Sequence, residues 1–252
     1  MEKEIKGKEY NYKGRLIFNG EYLNGTKRKG KGKEYYDNDK LKFEGEYING
    51  KKWNGKGFDY FGNMEYEIKN GKGNIKEHFV NGELIFEGEY LNGLRNGQGK
   101  EYDKGKLIFE GEYLNGKRNG QGNEYDGIML LFKGKYLNGE RNGIGKEYYF
   151  NSCNIKFEGE YKNGKKNGNG KEYYYNNSKL KFEGEYKNGE KNGNGKEYYY
   201  NGKLLFEGEY KNEERNGKGK EYNSNGKLKS EGEYINGEKN DEGKEYHFDV
   251  NK

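Results

Sequence analysis

The 252 residues contain 44 Gly, 27 Tyr and 13 Phe but no Pro, and 48 Lys and Arg are nearly balanced by 43 Asp and Glu. No run of five like charges occurs, which argues against a nucleic-acid-binding or membrane-binding tail. The single cysteine, Cys153, excludes an internal disulfide framework, and no apolar stretch resembles a signal peptide or a membrane span. We therefore expect a cytoplasmic protein.

Internal repetition dominates the chain. Glycines that share one register recur at spacings, by subtraction, of 25, 43, 23, 23, 25, 25, 24 and 24 residues. A period of 20–50 residues is the signature of a repeat array, and the long gap hides one decayed copy. We predict about ten repeats in a single array over residues 1–252. The register glycines are Gly20, Gly45, Gly88, Gly111, Gly134, Gly159, Gly184, Gly208 and Gly232.

The two least regular copies lie in the first third of the chain. Residues 1–14 form a partial repeat, in which Gly7 to Tyr10 match only the second half of a unit. A degenerate repeat covers about residues 58–82 and has a shorter connector. The chain closes on a predicted second strand, Gly243–Phe248.

Each repeat reads as a β-hairpin. In Lys106–Tyr125, two extended segments, Leu107–Tyr113 and Gln121–Tyr125, flank a connector with two Asn-Gly pairs. Asn-Gly favours tight hairpin turns because both residues tolerate a positive φ. The sequence therefore predicts an all-β fold of antiparallel hairpins. The apolar run Ile128–Phe132 is interpreted as a strand that is buried on both faces.

Alternation assigns the two faces of each hairpin. Leu180, Phe182, Gly184 and Tyr186 share one face, whereas the acidic and basic residues between them share the other. A glycine that recurs between large rings indicates that an aromatic ring covers bare backbone. We expect an aromatic row along one face, as a contact surface, and Glu and Lys rows that pair across strands on the other.

The pattern F-E-G-E-Y-x-N-G-x-x-x-G-x-G-K-E-Y resembles the MORN repeat, and Lys179–Lys203 is similar to the variant repeats of bacterial antitoxin components. The resemblance covers Gly7 to about Tyr246. It implies an elongated single-layer antiparallel sheet, or solenoid, of about ten stacked hairpins. Such proteins are scaffolds, are often dimeric, and in places have been proposed to bind acidic phospholipids.

Catalytic, metal and cofactor sites are not expected. His78, His247 and Cys153 fall in different repeats, too far apart for a metal site or a Cys-His pair. The glycine-rich stretches miss the spacing of a phosphate-binding loop. Lys is matched by Glu throughout, which argues against a nucleic-acid platform. We predict a protein that is not an enzyme and carries no cofactor.

One region departs from the pattern and is the candidate partner-contact site: Trp53, Phe58, Tyr60, Phe61 and Met64. Exposed large aromatics favour protein interfaces. The competing interpretation is a decayed repeat that has repacked. The predicted function is a protein-interaction scaffold. The alternatives are a peripheral membrane adaptor for acidic phospholipids, located at a membrane or the cytoskeleton, and an antitoxin-like binder of a toxic partner protein.

Overall fold

The structure, a computed structural model, describes residues 4–23, 26–240 and 244–246. The described chain is all-β, and its strands follow one another as antiparallel hairpins, as the sequence predicts. No part of the described chain forms a helix of the length and apolarity that a membrane crossing requires. Two compact units are present, Met1–Ile128 (unit 1) and Met129–Lys252 (unit 2).

The described residues of unit 1 form eleven strands. Strands β1 to β6 form one sheet, and β7 to β11 pair in chain order in a second. A single isolated bridge, Lys69↔Lys72, links β6 and β7. The strands are β1 Glu4–Tyr10, β2 Leu16–Leu23, β3 Thr26–Tyr35, β4 Leu41–Ile48, β5 Lys51–Phe58, β6 Met64–Ile68, β7 Gly73–His78, β8 Leu84–Leu91, β9 Leu94–Asp103, β10 Lys106–Leu114 and β11 Lys117–Asp126.

Unit 2 continues the same pattern. Strands β12 to β20 pair in chain order, and β21 and β22 both pair with β20. Gly243 and Phe248, the ends of the predicted closing strand, lie outside the described residues. The strands are β12 Met129–Leu137, β13 Glu140–Tyr148, β14 Ile155–Lys162, β15 Lys165–Tyr173, β16 Leu180–Lys187, β17 Glu190–Tyr198, β18 Leu204–Lys211, β19 Glu214–Tyr222, β20 Leu228–Ile235, β21 Glu238–Lys239 and β22 Lys244–Glu245.

The two Asn-Gly pairs of a repeat form different structures. Asn115 and Gly116 make the turn between β10 and β11 with φ of 51° and 86°, as a tight primed turn requires. The second pair, Asn119-Gly120, lies inside β11, so the prediction that both pairs belong to the connector is wrong. There it forms a bulge, because residues 119–121 stand opposite Glu112 alone.

The second Glu of F-E-G-E-Y stabilises this bulge. The backbone N–H of Gln121 donates to the Glu112 carboxylate over 2.9 Å, beside Gly120, whose φ is 84°. A charged acceptor satisfies an amide that the ladder has lost at the bulge. The same bond recurs in Gln98–Glu89, Asn169–Glu160, Asn194–Glu185 and Lys218–Glu209, at 3.0–3.4 Å.

The aromatic row lies in the core. Phe182 is fully buried, and a Cβ placed on Gly195 would lie 2.6 Å from its ring, so the ring covers bare glycine backbone as predicted. Tyr210 packs edge to face against Phe182 at 5.2 Å. On the outer side, the Lys191 ammonium lies 4.4 Å from the centre of the Phe182 ring. The aromatic row is therefore closed over by cationic side chains, and the expectation that it is a contact surface is wrong.

The apolar run at the unit boundary is only partly buried. Ile128 is 92% exposed because it stands in a turn, whereas Phe132 is fully buried in β12. Met129, Leu130 and Leu131 are half-buried. The interpretation of the run as a strand covered on both faces is therefore wrong, since only the position of the repeated phenylalanine enters the core.

Candidate functional site

The face of unit 2 opposite its buried phenylalanines carries an open trough of about 1170 Å³. Its floor is the backbone of paired glycines from Gly159 to Gly232, which stand directly opposite one another in successive strands. Because glycine has no side chain, the backbone is left bare along this line, and the residues on either side of the glycines form the walls of the trough.

A charge ladder runs along the trough. Lysine and glutamate alternate from strand to strand, about 4.8 Å apart, as predicted for this face. Lys146 Nζ and Glu158 Oε2, for example, are 3.0 Å apart. The alternating residues are Lys146, Glu158, Lys171, Glu183, Lys196, Glu207, Lys220, Glu231 and Lys244.

Tyrosines hold the ladder carboxylates in place. The Tyr173 hydroxyl donates to Glu158 over 2.5 Å, and this bond lowers the pKa of the Glu158 carboxyl below its ordinary value. Tyr222 donates to Glu207 over 2.7 Å, and burial raises the pKa of Tyr222 to about 12. Tyr222 therefore stays a protonated donor at neutral pH, and the bond from Tyr173 keeps the Glu158 carboxylate charged and fixed in orientation.

One column of the trough holds three different residue types in four hairpins. It is the residue between the bulge glycine and the paired glycine of N-G-x-G, and its side chain is exposed. The neighbouring glycines on either side are the same in each of these hairpins, so only this position alters the surface. The column consists of Ile144, Asn169, Asn194 and Lys218.

The chemistry of the trough is that of a binding surface. Its lining includes six lysines and five glutamates, so it has no strong excess of one charge. Within the described residues, no group of three or more His, Cys, Asp or Glu side chains is placed to hold a metal ion. His247 lies outside the described part of the chain.

The residues that the sequence singles out fall in two places. Phe58, Tyr60, Phe61 and Met64 lie at the β5–β6 turn, where Phe61 is 75% and Met64 55% exposed. Trp53 lies near the other end of β5, about 16 Å away along the strand. The structure therefore brings four of the five together, which we name the turn cluster, and separates the tryptophan from them.

Each of the two places is also tied to its surroundings. The Tyr60 hydroxyl donates to Asp37 over 2.9 Å, and its ring packs edge to face on Tyr36 at 5.3 Å. The Trp53 carbonyl accepts from the N–H of Gly71 over 2.7 Å. These contacts account for Tyr60 and Trp53 as parts of the fold. The role of the turn cluster in binding a partner stays a prediction.

Sequence reasoning missed the trough. The glycine pattern predicts only that rings cover the backbone, and the Glu and Lys pattern predicts only rows that pair across strands. The signal that could have found it is the varying residue within N-G-x-G, since a position that changes inside a constant repeat alters only the surface. Alternation places that residue on the charged face.

Comparison with known families agrees with the repeat pattern. The MORN repeat profile matches six segments that together cover about half of the chain, and it leaves out the degenerate copy. No curated protein matches the chain. The matched segments are residues 86–106, 109–127, 132–153, 157–179, 182–203 and 206–227.

Solved structures offer only distant likenesses. The crystal structure of TcdB2-TccC3 without its hypervariable C-terminal region is 12% identical with a TM-score of 0.22, over 90% of this chain and 15% of that one. TcdB2-TccC3-Cdc42 is 9% identical with a TM-score of 0.18, over 92% of this chain and 14% of that one. This chain thus spans a small fraction of those proteins.

Proposed function

Because the chain belongs to the MORN-repeat family, we propose that it is a non-enzymatic scaffold that binds a partner protein along the trough of unit 2. The observation that carries the proposal is the varying column, which includes Ile144 and Lys218, set on a constant floor and ladder. A constant frame with one variable position per repeat presents a partner with an ordered series of apolar, amide and basic contacts.

The charge pattern favours protein over lipid. Acidic membranes attract surfaces with a local excess of basic residues. The trough lining has six lysines against five glutamates, and the glutamates are held between tyrosine hydroxyls and lysines. A polypeptide, which carries both charges and amides, complements such an alternating surface better than a uniformly negative headgroup layer does.

The ionisable groups of the trough also support a binding role over a catalytic one. Each ladder glutamate stands opposite a lysine, and the hydrogen bond from Tyr173 lowers the pKa of the Glu158 carboxyl, which keeps that group charged. A general acid or base that works near neutral pH needs a pKa close to 7. The lowered pKa moves Glu158 away from that range.

Photo-crosslinking in the cells that make the protein tests the proposal. A benzophenone side chain replaces Asn194 in the trough, Lys187 at the exposed end of β16 or Phe61 in the turn cluster, each in the full chain. We expect one discrete protein adduct from position 194 and none from position 187. Adducts from position 61 alone would move the interface to the turn cluster and overturn the trough as the binding site.

Vesicle flotation tests the membrane alternative. Vesicles of neutral lipid and vesicles with acidic phospholipid are floated with the purified chain at low and at physiological salt. We expect no flotation at physiological salt. Flotation with acidic vesicles that persists there, without an adduct at position 194, would contradict the scaffold proposal. The identity of the adduct decides the antitoxin-like alternative, which requires a toxic partner protein.

A further inference from the structure

The β12–β13 hairpin reverses the charge of the repeat. In place of the two glutamates of F-E-G-E-Y, β12 carries Lys133 and Lys135, both exposed. Lys146 of β13 stands directly opposite Lys133, at the end of the trough. At the corresponding place in the next hairpin, Glu158 stands opposite Lys171. Lys133 and Lys135 thus replace two glutamates. Together with Lys146, which also pairs with Glu158 over 3.0 Å, they form what we name the lysine cluster.

The same exchange removes the cap of the bulge. In five other hairpins, the second glutamate accepts from the backbone N–H of the residue after the bulge glycine, as Glu160 does from Asn169 over 3.0 Å. The counterpart of Asn169 is Ile144, and Lys135 stands where Glu160 would be. Among the described residues, no carboxylate accepts from the N–H of Ile144.

The other substitution, at Lys133, removes the carboxylate acceptor of a tyrosine hydroxyl. Tyr173 donates to Glu158, and Tyr198 donates to Glu183 over 2.6 Å. Tyr148 is the corresponding tyrosine of β13, and the residue at the place of its acceptor is Lys133. The hairpin therefore carries lysines at the two places from which other repeats supply carboxylates to this amide and this hydroxyl.

We propose that the lysine cluster binds a carboxylate side chain from an acidic segment of the partner protein, which takes the place of the missing glutamate on the N–H of Ile144. This inference rests on the proposed function and names the chemistry of the partner at one end of the trough. The Ile144 side chain, 61% exposed, provides an apolar contact for the residue next to that carboxylate. Charge complementarity selects an acidic segment over a basic one.

The repeat itself supplies the test variant. Lys135→Glu and the double variant Lys133→Glu/Lys135→Glu restore the residues that occupy these places in neighbouring hairpins, so both are compatible with the fold. Binding of a dye-labelled hexaglutamate peptide to the full chain is measured by fluorescence anisotropy. We expect Lys135→Glu to weaken binding at least tenfold and the double variant to abolish it. Hexalysine and hexaglutamine should not bind.

A matched control separates the site from net charge. Lys156→Glu/Lys181→Glu changes the net charge equally at exposed residues near the starts of β14 and β16. We expect its affinity for hexaglutamate to stay within twofold of that of the native chain. Equal weakening by both double variants would mean that the peptide senses only overall charge, and would overturn the proposal.

An NMR readout on the native chain needs no variant. On addition of hexaglutamate, the Ile144 amide resonance should shift downfield and saturate, whereas that of Asn169, already capped, should stay in place. A shift of Asn169 without one of Ile144 would refute the site. Acidic vesicles that bind through the lysine cluster while hexaglutamate does not would assign the cluster to lipid and overturn the acidic-segment proposal. A native chain that binds no hexaglutamate, together with an adduct at position 194 that survives in the double variant, would refute the lysine-cluster proposal and leave the scaffold proposal intact.

Discussion

The regular hairpin β16–β17 and the degenerate hairpin β6–β7 solve the same packing problem in different ways. In the regular hairpin, Gly184 faces Gly195, and the fully buried Phe182 ring covers them. In the degenerate hairpin, Tyr66 and Ile75 stand at the places of the two glycines and are buried. There the residue at the place of the phenylalanine is Met64, which is 55% exposed. Paired glycines under a phenylalanine ring are exchanged for two large buried side chains, and the Tyr66 ring lies instead against Gly57 of the preceding strand.

Strand pairing differs with the packing. A Cβ on Gly184 would lie 2.7 Å from the Cα of Gly195, so the two strands approach more closely there than side chains permit. With Tyr66 and Ile75 at these places, β6 and β7 share only the bridge Lys69↔Lys72. The comparison teaches that the repeated glycines serve the close approach of strands, and that the phenylalanine fills the space that they leave.

The largest effect is expected from the ring. Phe182→Ala should lower the free energy of unfolding by about 3–5 kcal/mol, because it leaves a cavity over bare glycine backbone. Met64→Ala, at the equivalent place of the degenerate hairpin, should change it by less than about 0.5–1 kcal/mol because Met64 is exposed. Urea denaturation measures both. Equal losses would show that the two hairpins pack alike.

A methyl group on the covered glycine comes next. Gly195→Ala should cost about 1–3 kcal/mol because the added Cβ would meet the Phe182 ring at 2.6 Å. Adding Phe182→Leu should recover part of this loss, since the ring and the glycine share one space, with a coupling of about 0.5–3 kcal/mol. Asn194→Ala, on the exposed face, is the control. Strict additivity in the double-mutant cycle would contradict the claim that the Phe182 ring and Gly195 share one space.

The cation over the ring should contribute less. Lys191→Ala should lower stability by about 1 kcal/mol, since the ammonium and the stem both cover Phe182. Lys191→Met keeps the stem without the charge and should recover roughly half of that loss. Thermal unfolding at two salt concentrations compares the variants. If the methionine variant matched the alanine variant, packing by the stem would play no part.

The smallest effect is a pH dependence confined to the degenerate hairpin. Burial lowers the pKa of His78 below 6.5, although Glu65, 3.6 Å away, opposes this and Lys42 and Lys76 reinforce it. The unfolded chain therefore binds the proton at a higher pH than the folded chain. The stability that neutral His78 contributes is full above about pH 6.5 and is lost as the pH falls through the lower folded pKa.

Comparison with His78→Gln measures this contribution. The Tm advantage of the native chain over the variant should shrink between pH 7 and pH 5. An advantage that grows on acidification would mean that the ion pair with Glu65 outweighs burial, and would reverse the sign of the account. NMR titration of the His78 ring gives the folded pKa directly.

The sequence predicted the hairpins, their two faces and the ring over glycine, because period and turn chemistry are local properties. It could not separate the turn at Asn115-Gly116 from the bulge at Asn119-Gly120, since the dipeptides are identical and differ only in the residues across the strand. Nor could alternation show which face is covered. That depends on the reach of side chains such as Lys191 across Phe182, a contact between neighbouring strands.

Competition for the trough tests the central claim most directly. The chain with benzophenone at position 194 is photolysed with its partner in the presence of excess unlabelled chain, either native or carrying Asn169→Trp/Asn194→Trp. Both asparagines are exposed, so the indoles fill the trough without entering the core. We predict that the native chain abolishes the adduct and that the filled chain leaves it at least half intact. Equal competition by both would contradict binding along the trough.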